Sequence, residues 1–251
     1  MADSPHTTAT STIDPAEIER FSRIAEQWWD PTGKFAPLHH LNPVRIGYIR
    51  DHAARHWNRD PLGDRPLMGL SLLDIGCGGG LLCEPMARLG AQVTGIDAAQ
   101  RNIATASLHA EKQGLAIDYR QHTAEALAEE GRQYDIVLTL EIVEHVADVD
   151  LFLRSCGRLV KPGGLLFLST LNRTVKAWAL AIAGAEYVLR LLPRGTHDYA
   201  KFIKPSEMSA LCRKSGLVIS GITGMTYNPL TGIYALGSDT SVNYILHCVK
   251  G

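Results

Sequence analysis

Between Ser71 and Thr170 the apolar positions fall into short blocks whose period switches repeatedly between strand-like and helix-like spacing. SLLDIG (71–76), AQVTGID (91–97), AIDYRQ (116–121), YDIVLTL (134–140) and LLFLST (165–170) read as strands. Between them run helical stretches to Leu89, through about Gln113, over TAEALAEE (123–130) and over DVDLFLRSCGRLV (148–160). This βαβα alternation predicts a mostly parallel sheet with helices on both faces. The tail adds a helix in PSEMSALCRKSG (205–216), a strand in LVISGITGM (217–225) and a last strand in SVNYILHCVK (241–250). Upstream, Asp14, Pro15 and Glu17 form a helix start, and Ile18, Phe21, Ile24, Ala25 and Trp28 follow at helical spacing. PTGKFAPLHHL (31–41) reads as a loop, a second helix is expected to open at Asn42–Pro43, and NRDPLGDRPLMG (58–69) reads as a linker.

Composition narrows the functional classes. Hydrophobic residues make up 45% and charged residues 20% of the 251, the balance of an ordinary globular chain. A formal net charge of -1 offers no basic field for nucleic acid. The five cysteines make no CxxC pair and no zinc spacing, which suits a reduced, cytoplasmic setting. The opening MADSPHTTATST lacks the apolar core and basic start of a signal peptide, so residues 1–12 are expected to be a disordered tail. No apolar run approaches the ~20 residues that span a bilayer. Residues 13–251 are then one domain, with 13–68 as a helical cap and 171–204 as an insertion or lid after the fifth strand.

The chemistry concentrates in LLDIGCGGG (72–80). Gly76, Gly78, Gly79 and Gly80 allow a sharp turn and close approach of backbone to a ligand at the end of the first strand. A dinucleotide fingerprint would place its third glycine at position 81, which is Leu81. Asp74 beside the turn would repel a pyrophosphate but suits a ligand carrying ammonium and sulfonium charges, which points to S-adenosylmethionine. Asp97, ending the second strand, is placed to accept from both ribose hydroxyls. A nicotinamide dehydrogenase is disfavoured by Leu81 and Asp74. A base N-methyltransferase would carry a run such as N/D-P-P-Y/F where TLEIVEH stands. A non-catalytic binding module remains a third reading.

The chain resembles class I S-adenosylmethionine-dependent methyltransferases, and more closely the ubiquinone-biosynthesis O-methyltransferases. The resemblance rests on WWDPTGKFAPLHHLNPVRIGYI, LLDIGCGGGLL, EIVEHV, KPGGLLFLSTLNRT, GAEYVLRLLPRGTHDYAKFIKPSE and VNYILH. It implies a Rossmann-like, seven-stranded, mostly parallel sheet. It also implies O-methylation of phenolic hydroxyls on polyprenylated ubiquinone precursors, a polyprenyl catechol and 3-demethylubiquinol. Cofactor-binding positions fall on Arg45, Gly76, Asp97 and Leu140, joined by Asp74 and Gly78 of the loop. Leu140 replaces a methionine that members can carry, a mild apolar exchange. A quinone C-methyltransferase is the nearest alternative within the class.

Glu141, Glu144 and His145 follow the fourth strand, where chemistry is expected. Three roles stay open for them: helix N-terminal acids, a general base with His145 first, or, as in related members, a Mg²⁺ site. Cys77 is read as a small loop residue rather than a nucleophile. Trp28 and Trp29 line a ring or prenyl pocket or pack helices, and His197 and Asp198 approach the substrate or shape a turn. The apolar run AWALAIAGA (177–185) has basic flanks, Arg173, Lys176, Arg190, Arg194, Lys201 and Lys204, against Glu186 and Asp198. That pattern suggests peripheral contact with an anionic inner-membrane surface. Other ubiquinone-biosynthesis proteins are possible partners, and nucleic acid is not expected.

Overall fold

The computed structural model describes residues 12–180, 198–228 and 231–251. Its strands are β1 (Ser71–Ile75), β2 (Gln92–Asp97), β3 (Asp118–Gln121), β4 (Tyr134–Leu140), β5 (Val160–Leu171), β6 (Leu217–Asn228), β7 (Ile233–Gly237) and β8 (Asn243–Lys250). Its helices are α1 (Pro15–Ser22), α2 (Ala36–His56), α3 (Cys83–Arg88), α4 (Gln100–Lys112), α5 (Ala124–Glu129), α6 (Val149–Leu159), the single turn α7 (Val175–Ala177) and α8 (Pro205–Lys214). Short 3₁₀ turns occupy Ala25–Gln27, Val143–His145 and Tyr199–Lys201.

One eight-stranded sheet runs in the order β3-β2-β1-β4-β5-β8-β6-β7. The pairs from β3 to β5 are parallel, while β8, β6 and β7 join antiparallel. The expectation of seven strands is therefore corrected to eight. The added strand is β7, which follows a turn closed by Gly232 N–H donating to the Asn228 carbonyl (2.8 Å). It escaped the sequence reading because four of its five residues are exposed, leaving no apolar alternation to find.

Neighbouring residues on the central strands divide between two cores, as the two-residue strand period requires. Leu73, Val137 and Leu166 face α5, α6 and α8, whereas Leu72, Ile136 and Phe167 face α2, α3 and α4. The second helix begins at Ala36 rather than at Asn42–Pro43: Pro37 takes the helix start, and Pro43 stands inside the helix. A proline within a helix forfeits one backbone bond, but α2 is held from outside. Its Tyr48 hydroxyl pairs with His247 Nδ1 of β8 at 2.7 Å, and Ile49 and Ala53 are wholly buried. Burial presses His247 down to about 4, so this contact is made by a neutral ring.

The expected tail, 1–12, falls on residues outside the description except for Thr12. That residue is buried, its hydroxyl donates to Glu125, and its carbonyl accepts from Ala147 N–H at 2.9 Å. Among the described residues no helix is long and apolar enough to cross a membrane.

Candidate cofactor and acceptor site

The chain runs β1→β2→β3 toward one edge and then crosses to β4 on the other side of β1, so the strand order reverses between β1 and β4. That reversal opens a crevice at the carboxyl ends of the strands. A cavity of about 1760 Å³ occupies it, roofed by α1 and the segment leading into α2. One small ligand needs about 300–1,000 Å³, so a cofactor and an acceptor fit side by side. Arg45, Asp74, Gly76, Asp97, Leu140, Glu141, Glu144 and His145 all line it. Gly78 is not among its lining residues.

The glycine loop is stripped of side chains because there is no room for them. Gly76 has φ 70°, and a Cβ there would lie 2.2 Å from Ile142 Cδ1. At Gly78, with φ 53°, a Cβ would lie 2.4 Å from the Trp28 ring. Trp28 thus lies against the loop. It stacks on Phe35 with ring centres 3.7 Å apart and donates from Nε1 to Asn102 Oδ1 at 2.9 Å. Trp29 donates to the Gly79 carbonyl at 2.8 Å and stacks on His109. Both tryptophans are packing residues, with Trp28 also in the cavity wall.

Asp97 braces the same loop. Gly78 N–H donates to its Oδ2 at 3.0 Å and Ala99 N–H to its Oδ1 at 2.8 Å. Burial raises its carboxyl, and the Ala99, Asn102 and Gly78 hydrogen bonds pull the other way. Asp74 is buried and accepts from Cys83 Sγ at 3.2 Å. Burial pushes it up to about 7 against that hydrogen bond, with the Asp97 charge adding to the rise. Burial also raises Cys77, consistent with an inert thiol.

Arg45 is 2% exposed and its Nη2 meets Glu141 Oε1 at 2.5 Å. Glu141 also accepts from Ser169 Oγ (2.7 Å) and Asn243 Nδ2 (3.4 Å), and it holds φ 57°, a left-handed backbone rare outside glycine. Arg45 Nε is buried without a hydrogen-bond partner. A buried guanidinium with one idle donor beside the glycine loop fits the carboxylate of an amino-acid-bearing cofactor. The residues present therefore fit S-adenosylmethionine: Arg45 for the carboxylate, Asp74 for positive charge, Asp97 for the ribose and Leu140 for an apolar contact.

They do not fit a divalent cation at Glu141, Glu144 and His145. His145 Nδ1 is paired with Glu17 of α1 at 3.1 Å, Glu144 accepts from Thr170 Oγ1 at 2.9 Å, and Glu141 is taken by Arg45. Among the described residues no group of three His, Cys, Asp or Glu side chains is placed to hold an ion. Glu144 is instead held well above the usual carboxylate range, by burial first and the Glu141 charge second.

Asp198 caps the 3₁₀ turn Tyr199–Lys201 by accepting from Ala200 N–H, the turn role, while His197 lies outside the described residues. The sequence reading missed Glu17, Ser169 and Asn243. The last two stand in LFLST and VNYILH, segments quoted as distinctive without a role. Glu17 was counted only as a capping acid, and nothing in the local sequence links it to His145, 128 positions away.

Two outcomes follow for cofactor binding. Asp97→Ala should weaken S-adenosylmethionine binding by about 1.5–3 kcal/mol while the protein stays folded, as read by calorimetry alongside a melting curve; unchanged affinity would remove the ribose role. A positively charged ligand favours ionised Asp74, so below about 7 binding must expel its proton. Affinity should therefore climb as pH rises through that value and then level off. The Asp74→Asn protein should show a flat profile, and a flat wild-type profile would take Asp74 out of the site.

A family model described as "Methyltransferase domain" matches residues 73–168. The ubiquinone biosynthesis O-methyltransferase of Brucella anthropi is 59% identical over 239 residues, 95% of this chain and 96% of that protein. The protein of the same description from Chelativorans sp. is 57% identical over 240 residues, 96% and 95% of the two chains. Among solved structures, the magnesium protoporphyrin IX methyltransferase of Synechocystis with bound SAH superposes with a TM-score of 0.63 at 21% identity, covering 94% of this chain and 95% of that one. That likeness bears on the fold. The sequence identities extend over nearly the full length of both chains, and with them the chain belongs to the ubiquinone-biosynthesis O-methyltransferase family.

Proposed function

We propose that the protein methylates phenolic hydroxyls of polyprenylated ubiquinone precursors, a polyprenyl catechol and 3-demethylubiquinol. The observation that carries this reading is the combination of near-full-length relatives of that description with one cavity large enough for cofactor and acceptor together. S-adenosylmethionine supplies the methyl group on an activated sulfonium. The protein's part is to hold the acceptor oxygen in line and keep water out. Arg45, Asp74 and Asp97 bind and orient the cofactor. His145, held at Nδ1 by Glu17, takes the phenol proton at its other ring nitrogen, in the manner of a base oriented by a carboxylate. Burial and the Glu141 charge push the Glu144 carboxyl up, which favours the form that spares the site a second buried negative charge.

The long apolar tail of such an acceptor favours work at a lipid surface. Val175, Trp178 and Leu180 are exposed apolar side chains at the start of the insertion. Of its basic flanks, Arg173 is paired with Glu207, Lys176 with Asp239 (2.7 Å) and Lys201 with Asp14 (3.3 Å). These pairs reduce the free positive charge expected from the sequence. Arg190, Arg194 and Glu186 lie outside the described residues. Apolar insertion by Trp178 and Leu180, more than charge, is then the main source of peripheral membrane contact. Contact with other ubiquinone-biosynthesis proteins at that surface is part of the same proposal.

The direct test is methyl transfer from labelled S-adenosylmethionine to a short-chain prenyl catechol, with the label located in the product. Label on oxygen is expected; label on ring carbon would point to C-methylation. Exhaustive chelation should leave the rate within about twofold, given the placement of His145 on Glu17. Strict metal dependence would mean that His145 leaves that partner. In a second test, the protein should co-sediment with anionic vesicles, and Trp178→Glu combined with Leu180→Glu should abolish most of that binding with cofactor affinity unchanged. Wild type remaining in the supernatant at low salt would reduce the insertion to a lid.

A further inference from the structure

Strand β7 poses a question of economy. Ile233 is 61% and Leu236 42% exposed, and Tyr234 is the one residue of the five that is not exposed. Such a strand shelters little apolar surface, so its contribution to the core is small. What it does is carry Tyr234 back to the cavity. Tyr234 stands opposite Tyr227 of β6 in the register, with the two rings 4.8 Å apart and inclined at 40°. Both line the cavity, as does Met225, which is 2% exposed and belongs to the core cluster that Tyr234 packs against. Burial pushes the Tyr234 hydroxyl up, with Arg45 pulling the other way and Tyr227 and Glu141 adding to the rise. The hairpin thus presents an aromatic face and a thioether on one side of a cavity whose polar groups, Glu141, Glu144 and His145, come from the segment after β4.

Resting on the function proposed above, we infer that Tyr234, backed by Met225 and flanked by Tyr227, is the wall that holds the acceptor's aromatic ring and selects among acceptors. A flat ring stacks on the tyrosine face and meets the polarisable sulfur. A hydroxyl-bearing edge is then drawn toward Glu141 and His145, and an apolar substituent is left on the side of Tyr227 and Leu180. The acceptor class that matches is a phenol or catechol with an apolar chain. A compact aliphatic alcohol would leave the tyrosine face bare. Tyr234 on this account binds the acceptor and touches neither the cofactor's ribose nor its adenine.

The test is steady-state kinetics with a short-chain prenyl catechol, beside calorimetric titration of S-adenosylmethionine. Tyr234→Ala should raise the acceptor KM at least tenfold while cofactor affinity stays within twofold. Tyr234→Phe should recover most of that loss, since the ring face is retained. Ile233→Ala, on the exposed face of the same strand, should leave both quantities unchanged and so controls for loosening of the hairpin. A folded Tyr234→Ala protein with wild-type KM would overturn the ring wall and leave the functional reading intact. Equal losses of cofactor and acceptor binding in that variant would also overturn it, since Tyr234 would then be holding the site's shape. Wild type that binds S-adenosylmethionine but turns over no phenol or catechol would overturn the functional reading, and the ring wall with it.

Discussion

A guanidinium buried in the cavity wall dictates much of what surrounds it. Removing such a charge from water costs several kcal/mol unless it is paired and hydrogen-bonded. Arg45, on the middle of α2, meets that cost through Glu141, the residue that follows β4. Glu141 in turn gathers Ser169 from β5 and Asn243 from β8. One ion pair therefore ties the cap helix to three neighbouring strands at their functional ends. It also accounts for the left-handed backbone at Glu141. That conformation costs on the order of 1–3 kcal/mol in a side-chain-bearing residue and persists where the surroundings over-determine it. The same knot leaves Arg45 Nε idle, so the pairing that holds the structure together also leaves a donor for a ligand.

The segment before the sheet is part of the site rather than a decoration on it. Helix α1 has no fully buried residue, so packing alone does not anchor it. It is held by polar contacts at its edges: Thr12 to Glu125 and to Ala147, Asp14 to Lys201, and Glu17 to His145. The two ion pairs are partly exposed and worth about 0–1 kcal/mol each, while the Thr12–Glu125 hydrogen bond is buried. Trp28 and Phe35, by contrast, form their own small apolar cluster with Leu81 against the glycine loop. The cap thus combines an apolar cluster against the loop with a helix joined to the rest of the wall largely by polar contacts.

The acid-rich turn after β4 shows how placement overrides composition. Two glutamates and a histidine in five positions are a fair oxygen-and-nitrogen ligand set. In the fold each is drawn to a different partner: Arg45, Thr170 and Glu17. Glu144 is buried beside Glu141, and two such neighbours cannot both ionise cheaply. The result is one carboxylate committed to an arginine, one carboxyl pushed up by burial beside it, and an imidazole paired with the N-terminal helix.

The alternation of apolar blocks was enough to place β1 to β6, β8 and the helices between them, because most of these strands are short apolar runs and the helices between them are amphipathic. The placement of Asp74, Gly76 and Asp97 at the cavity was legible for a related reason: they stand at strand ends, which the chain order itself supplies. Strand β7 was not legible, since an exposed edge strand has no apolar period. The start of α2 at Ala36 was hidden by Pro43, which reads locally as a helix opening but is carried inside the helix by contacts across the fold. The partners of Arg45 and His145 lie 96 and 128 positions away in the chain. No local pattern couples residues at such separations; only the packing of α1 and α2 over the carboxyl ends of the strands decides which charge each one meets.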